Sequence, residues 1–433
     1  MKNKILLLFL LSVAGCLSLR AQNASLDKVR DLYAAGQYAA ALDRLEKTAP
    51  GGANDREAAD YYAALCHIRL GSPQAGEKVR IFSEHYPASL HKAELVTDLA
   101  DDLFARGDYA QAATYYRLTD KFSLGQPQRN DYVFRKAYSL YASGDYDAAR
   151  GLLYELRDDP QWGADASYAF GHICYSQGET GLALESFLKV KDHPKYADKA
   201  PFYLANIYFA RKDYAQAIAQ GLPLLEKAPQ DNAEIGRLVA RSYFNLGDYR
   251  AAPPYLVRYA PTPPQAQDDY QTGFAYYRSG DYAQAVQYLG RLLGDDTAVG
   301  QNACFTLGEA YLKIGKNTEA LGAFRSAARM DYDPVLQQDA WYNYAVLSYR
   351  EGNPYEPASK VLAEYLERYP ESPLREQISQ YLLDSFISCG DYRQALGTIE
   401  SMGWIPPRHG KRRPPPVFTW PDNCSTTACT TAR

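Results

Sequence analysis

An all-α solenoid of about eleven helix-turn-helix repeats is the fold the sequence predicts, and three observations carry that prediction. The stretch Gly280-Asp281-Tyr282-Ala283-Gln284-Ala285 recurs whole at Gly107–Ala112, and shortened as Gly144-Asp145-Tyr146, Gly247-Asp248-Tyr249 and Gly390-Asp391-Tyr392. Looser copies at Gly36-Gln37-Tyr38, Gly71, Gly178, Lys212-Asp213-Tyr214, Gly315 and Gly352 complete eleven anchors, whose spacing runs from 33 to 38 residues and averages 35.4. Apolar residues at helical spacing flank each anchor on both sides. A fixed period of this size marks a stack of identical supersecondary units.

Each unit then follows from local chemistry. Around Gly315 the first run is Leu307, Gly308, Tyr311 and Leu312, and the second is Ala320, Phe324 and Ala327. Each run is one amphipathic helix, and the glycine sits in the turn between them. Glycine tolerates the positive φ that ends the first helix, and the aspartate after it caps the second. A small residue seven before the turn (Gly273, Gly308, Ala345) lets neighbouring helices approach closely. One pair cannot bury its apolar face alone, so pairs stack and share a core. Two units carry proline where the second helix belongs: Pro253-Pro254 after Gly247, and Pro354 with Pro357 after Gly352. The first predicts a kink or a late helix start. Phe82-Ser83-Glu84-His85-Tyr86-Pro87 and Tyr365–Pro373 end a second helix on Tyr-Pro, which stops the helix and sets the turn between repeats.

The unit Cys304–Ala327, with Leu307-Gly308, Tyr311, Ala320, Phe324 and Ala327, resembles the tetratricopeptide repeat, and Trp341 stands where that family often has tryptophan. The resemblance covers roughly residues 25–402. It implies a right-handed superhelical solenoid that binds proteins or peptides on its concave face. The Tyr-Pro segments further resemble those of tetratricopeptide lipoproteins and periplasmic proteins that assist outer-membrane assembly and cell-envelope division.

The remaining segments bear on compartment. Lys2 and Lys4 precede the apolar run Ile5–Val13, too short to cross a bilayer, which reads as a secretory signal over residues 1–21. Val13-Ala14-Gly15-Cys16 resembles a bacterial lipobox, implying cleavage before Cys16 and lipid on its sulfur; the rival is cleavage after Ala21. The expectation is an exported protein of the periplasm or outer membrane, touching the membrane only through that lipid. Cys66, Cys174, Cys304 and Cys389 lie in different units, so they read as small buried residues rather than a disulfide framework. Mean hydropathy of −0.43 and 23% charged residues fit a soluble chain. The 38 tyrosines suit stacked helices, because the ring packs while the hydroxyl reaches the surface.

Residues 22–402 form the predicted array, and the pattern stops at 403. Trp404–Pro416 is basic and proline-rich, and Cys424–Thr431 follows. Residues 403–433 read either as a basic tail or, our preferred expectation, as codons taken out of frame. The shifted codons from Phe418 onward permit a further repeat turn whose glycine falls about 38 residues past Gly390. The chain carries −4 overall; residues 1–21 contribute +3 and residues 403–433 contribute +4, so the array itself carries −11. An acidic array does not read as a nucleic-acid binder.

No chemistry is nominated. The six histidines include no pair at zinc-binding i, i+4 spacing, no His-Glu-x-x-His and no nucleophile elbow occurs, and Gly315-Lys316-Asn317 lacks the rest of a phosphate loop. We therefore expect no catalytic residue, metal or cofactor. What remains is surface. Three residues before the turn stand Tyr33, Phe104, Tyr141, Tyr175, Phe209, Phe244, Tyr277 and Tyr349; ten before it stand Tyr61, Phe134, Tyr168, Phe202, Tyr270, Phe305 and Tyr342. Seven residues is two helical turns, so both sets share one face of the first helix. These rings either pack repeat on repeat or line a groove for an extended peptide or helix. The groove set is Tyr141, Tyr168, Tyr175, Phe202, Phe209, Phe244, Tyr270 and Tyr277, with Arg237, Arg241, Asn206 and Glu309 setting polarity. The expected function is a non-catalytic protein-interaction scaffold of the bacterial cell envelope. The alternative is the helical accessory arm of a larger envelope enzyme, such as one acting on peptidoglycan.

Overall fold

The computed structural model describes residues 26–47, 52–120, 126–228, 230 and 232–402. The expected signal, the lipobox at Cys16 and the tail from 403 lie outside them. The chain divides into two compact units, Met1–Ala200 and Pro201–Arg433. Both are helical, and no strand occurs among the described residues.

In the first unit the helices pair as α1 (26–34) with α2 (Tyr38–Glu46), α3 (Ala53–Arg69) with α4 (Ala75–His85), α5 (Lys92–Ala105) with α6 (Tyr109–Tyr116), α7 (Gln126–Ala142) with α8 (Tyr146–Glu155), and α9 (Gly163–Ser176) with α10 (Thr180–Val190). In the second the pairs are α11 (Ala200–Ala210) with α12 (Tyr214–Lys227), α13 (Ala233–Leu246) with α14 (Ala252–Arg258), α15 (Ala266–Ser279) with α16 (Tyr282–Leu289), α17 (Ala298–Lys313) with α18 (Asn317–Arg329), α19 (Pro334–Glu351) with α20 (Ala358–Arg368), and α21 (Arg375–Ser388) with α22 (Tyr392–Met402). Every pair breaks at a predicted anchor.

The turn works as its residues require. All ten anchor glycines have positive φ, between 65° and 89°. At every anchor but Gly352, whose ψ is 164°, the residue after it donates its N–H back to the carbonyl five residues earlier, as Asp108 does to Leu103 at 2.9 Å and Asp281 to Tyr276 at 2.9 Å. This satisfies carbonyls that the helix end would otherwise orphan. The aspartate carboxylates then accept the backbone N–H three residues on: Asp108 from Gln111, Asp145 from Ala148, Asp213 from Gln216, Asp248 from Ala251, Asp281 from Gln284 and Asp391 from Gln394.

Lys212 is the exception in residue type and not in geometry: its φ is +62°, and its side chain is exposed. A side chain in the left-handed region pays a steric penalty that glycine avoids. Lys212→Gly is therefore expected to raise stability by about 0.5–1 kcal/mol, read as a higher urea midpoint at unchanged slope.

Both proline departures resolve as late helix starts. α12, α16 and α22 begin two residues after their anchors, whereas α14 begins five after Gly247 and α20 six after Gly352. Pro253 and Pro254 fall in the first turn of α14, where a missing N–H costs no helical bond. The two Tyr-Pro stops have one geometry: φ −124° and ψ 63° at Tyr86, φ −124° and ψ 62° at Tyr369. Ser89 and Ser372 follow alike, each accepting from the N–H two residues on.

The core runs between consecutive pairs. In the first unit Tyr61, Ile68, Val79, Phe82, Leu95 and Leu99 form one cluster. In the second, Phe305, Phe324, Trp341, Tyr344, Leu362 and Tyr365 belong to the cluster that spans α17 to α21. The small residues seven before the turn do what close approach demands: a Cβ on Gly273 would lie 2.6 Å from Leu289 Cγ, and one on Gly308 would lie 2.8 Å from the Phe324 ring.

Candidate functional site: the aromatic face of the first helices

At six anchors the ring three residues before the turn has a fixed neighbour. It packs on the tyrosine of the same turn element, two residues past the anchor. Centroids lie 5.3 Å apart for Tyr33–Tyr38, 5.4 Å for Phe104–Tyr109 and 5.9 Å for Tyr141–Tyr146 in the first unit. In the second they lie 5.7 Å apart for Phe209–Tyr214, 5.5 Å for Phe244–Tyr249 and 5.8 Å for Tyr277–Tyr282.

A third group comes from the next first helix, six residues before its own turn. Tyr138 fills this place against Phe104 and Tyr109, His172 against Tyr141 and Tyr146, and Phe274 against Phe244 and Tyr249. Arg241 occupies the same place over the Phe209 ring at 5.9 Å. Glu309 occupies it beside Tyr277, whose hydroxyl donates to it; burial and that carboxylate push the phenol well above its usual range. Burial lowers the pKa of His172, so the imidazole sits neutral among its rings at neutral pH. One slot is thus filled by phenyl, imidazole, guanidinium or carboxylate, and its polarity varies along the array while its geometry does not.

The rings ten residues before the turn are held from the other side. In the first unit each meets an aromatic residue of the connection to the next repeat: Tyr61 with His91 at 4.3 Å, Phe134 with Trp162 at 4.1 Å and 10°, Tyr168 with Tyr196 at 4.3 Å and 14°. Trp162 Nε1 donates to Asp131, and the Tyr196 hydroxyl to Asp165. The stacks therefore have polar anchors at their outer ends.

The named groove residues divide accordingly. In the first unit Tyr141, Tyr168 and Tyr175 are half-buried. In the second, Phe202, Phe209 and Tyr277 are half-buried, Tyr270 and Phe244 are buried at 7% and 3% exposure, and Arg237 and Arg241 are exposed. Phe202 and Phe209 on α11 pack against the core that α13 shares, and Arg237 and Arg241 stand one turn apart on α13. No carboxylate among the described residues lies within ion-pair distance of either arginine.

Sequence reasoning missed one cavity. A cleft of about 880 Å³ opens in the first unit between α4, the start of α5 and α6. Val79, Val96 and Tyr115 line it, with Arg80 and Lys92 among its charged residues. Gly76 admits it: a Cβ there would lie 2.7 Å from the Tyr115 hydroxyl. None of the predicted groove residues lines this cleft, which lies mainly along the second helices. The four described cysteines are free; Cys66, Cys174 and Cys304 are buried, and Cys389 is exposed. Burial pushes the Cys66 and Cys304 thiols up to about 11, away from nucleophilic chemistry. No group of three or more metal-ligating side chains occurs among the described residues, and no described helix is long and apolar enough to cross a membrane.

A family model described as the tetratricopeptide repeat matches residues 97–162, 270–331 and 305–373. Among solved structures, the chain is similar to a tetratricopeptide repeat protein from Parabacteroides merdae, at 15% identity over 66% of this chain and 96% of that one, with a TM-score of 0.32. It is similar to the C-terminal part of a repeat-containing protein from Cytophaga hutchinsonii, at 16% identity over 61% and 98%, with a TM-score of 0.34. It is also similar to the tetratricopeptide domain of P58(IPK), at 16% identity over 81% and 99%, with a TM-score of 0.23. None of the curated proteins matches the chain. The model matches segments in both units, and a helix pair is hinged at each anchor of the series, on glycine at ten and on Lys212 at the eleventh; the matched segments are tetratricopeptide repeats.

Proposed function

We propose that this chain is a non-catalytic scaffold of the bacterial cell envelope, exported by its leader, tethered by lipid on Cys16, and holding peptide or protein partners on the face of its first helices. The general part, a scaffold for protein contacts, follows from the repeats. The envelope part rests on Lys2, Lys4, the run Ile5–Val13 and the box Val13-Ala14-Gly15-Cys16. The partner face rests on one observation: the exposed Arg241 guanidinium lies over the half-buried Phe209 ring, Arg237 stands exposed one turn away on α13, and no carboxylate among the described residues pairs with either arginine. Apolar area beside unspent donors, on helices already fixed by packing, binds a segment without an ordering cost to the scaffold. Because most candidate rings are engaged between repeats, a partner meets their edges and the exposed arginines rather than a row of free faces.

The test uses a photo-crosslinking amino acid at Arg237 in the full chain, expressed in a bacterial host, with Glu185 on α10 as the control position. A discrete protein adduct at 237, lost when Arg241→Glu is added and absent at 185, is the expected result. Equal adducts at both positions, or none, would overturn the face. Phe244 is left unchanged, because its loss would act on the fold. For the anchor, Cys16→Ala should abolish incorporation of labelled fatty acid; unchanged incorporation rejects the tether.

A further inference from the structure

The late start of α20 builds a loop with a second role. Asn353 fastens it: its amide donates to the Tyr344 hydroxyl at 3.0 Å and to Ser348 Oγ at 2.8 Å, and its carbonyl accepts the N–H groups of Tyr355 and Glu356. The loop thereby presents Glu356, its side chain only 10% exposed, to the end of α18, and Glu356 also accepts from Tyr344 of α19 at 2.7 Å. Three cations surround this one carboxylate: Arg325 at 3.8 Å, Arg329 at 3.5 Å and Lys360 at 3.3 Å.

The balance is uneven. Three positive charges meet one negative charge, leaving a local excess of two on an array that is acidic overall. The contacts are also long for charge-assisted hydrogen bonds, which close to about 2.7–2.9 Å. Arg325 Nε is buried without a hydrogen-bond partner, its nearest carboxylate oxygen being that of Glu356 at 3.8 Å, while 31% of the side chain stays in solvent. Its guanidinium is held in place, with its carbon 4.8 Å over the ring of Tyr355, itself 50% exposed. Arg329 and Lys360 keep 53% and 67% of their side chains in solvent. A fixed guanidinium, two accessible cations and an exposed ring make a preorganised receptor for carboxylates.

We propose that Arg325, Arg329 and Lys360, gathered around Glu356, form a docking site for an acidic segment of a protein partner, on the second-helix side of the ninth and tenth repeats. Side-chain carboxylates of that segment take the donors that Glu356 leaves unspent, and the Tyr355 ring supplies apolar contact beside them. The site is separate from the first-helix face, so failure of one leaves the other standing.

The experiment measures fluorescence anisotropy of a labelled oligoglutamate with the full chain, using oligolysine as control and inorganic phosphate as competitor. Oligoglutamate should bind, weaken as salt rises, and lose affinity by about tenfold or more in the Arg329→Glu/Lys360→Glu double variant. Both substituted side chains are exposed, so unchanged thermal unfolding confirms the fold of that variant. Glu356→Gln should tighten oligoglutamate binding several-fold by removing the competing charge, even if it loosens the loop. No binding, binding indifferent to the double variant, or weaker binding by Glu356→Gln would overturn the proposal. Displacement of the peptide by millimolar phosphate with the same variant dependence would overturn it too, marking a small-anion site instead.

Discussion

Phe324→Ala should destabilise the second unit by about 3–5 kcal/mol, the range for emptying a fully enclosed phenyl site. The ring has no solvent exposure and packs edge-on to Phe305 at 5.6 Å. It also lies against the bare backbone of Gly308, where a Cβ would come within 2.8 Å of two ring carbons. The two positions are therefore coupled in volume. Gly308→Ala alone should cost about 1–3 kcal/mol, since an enclosed ring cannot retreat. In a Phe324→Leu background the added methyl should gain room, and the double variant should cost less than the two singles added. Urea titration of the cycle measures this coupling, and strict additivity would show that the close approach is not what sets the price of either change. Each repeat contacts mainly its neighbours, so amide exchange should quicken first in α17, α18 and α19 and least in the first unit.

The turns were legible because their causes are local. A positive φ selects glycine, and an aspartate one residue later caps the next helix, so Gly107-Asp108 and Gly280-Asp281 declare themselves without knowledge of any distant contact. The prolines of α14 and α20 were legible for the same reason. The aromatic face was legible only by half. Periodicity places Tyr141 and Tyr168 on one face of their helices, but what they touch depends on how one repeat is rotated on the next. His172 meets Tyr141 from 31 residues away and Tyr196 meets Tyr168 from 28, and no local pattern carries that rotation. The partner of the ring three before the turn was nearer than expected: it is the tyrosine of the repeated motif itself, brought back by the reversal at glycine. The cations around Glu356 carried no sequence signal, because Arg325 and Glu356 meet only through a loop whose path is set by Pro354, Pro357 and the hydrogen bonds of Asn353. The cleft beside Gly76 was likewise unreadable, since it depends on the space left between α4 and α6.

Gly236→Ala should cost about 3 kcal/mol, a large effect for one added carbon. Gly236 lies in the first turn of α13, outside the place seven before the turn where the repeat expects a small residue. Its reason is Tyr259. Because the prolines delay α14, the chain leaves that short helix at Arg258, and the next ring turns back onto α13. A Cβ on Gly236 would sit 2.3–2.5 Å from three carbons of that ring. Tyr259 is 6% exposed and packs beside Tyr255, so the ring has no free path away. Gly151, inside α8, supplies the opposite case: nothing lies within 4 Å of its would-be Cβ, and Gly151→Ala should stabilise by about 0.5–1 kcal/mol through helix propensity alone. The same substitution is thus expected to change sign between two helices of one repeat family. Combining Gly236→Ala with Tyr259→Leu should recover part of the loss, because a smaller side chain vacates the space the methyl needs. Urea midpoints for the three variants decide the matter. If Gly236→Ala matches Gly151→Ala in sign, the ring does not rest on the backbone of α13.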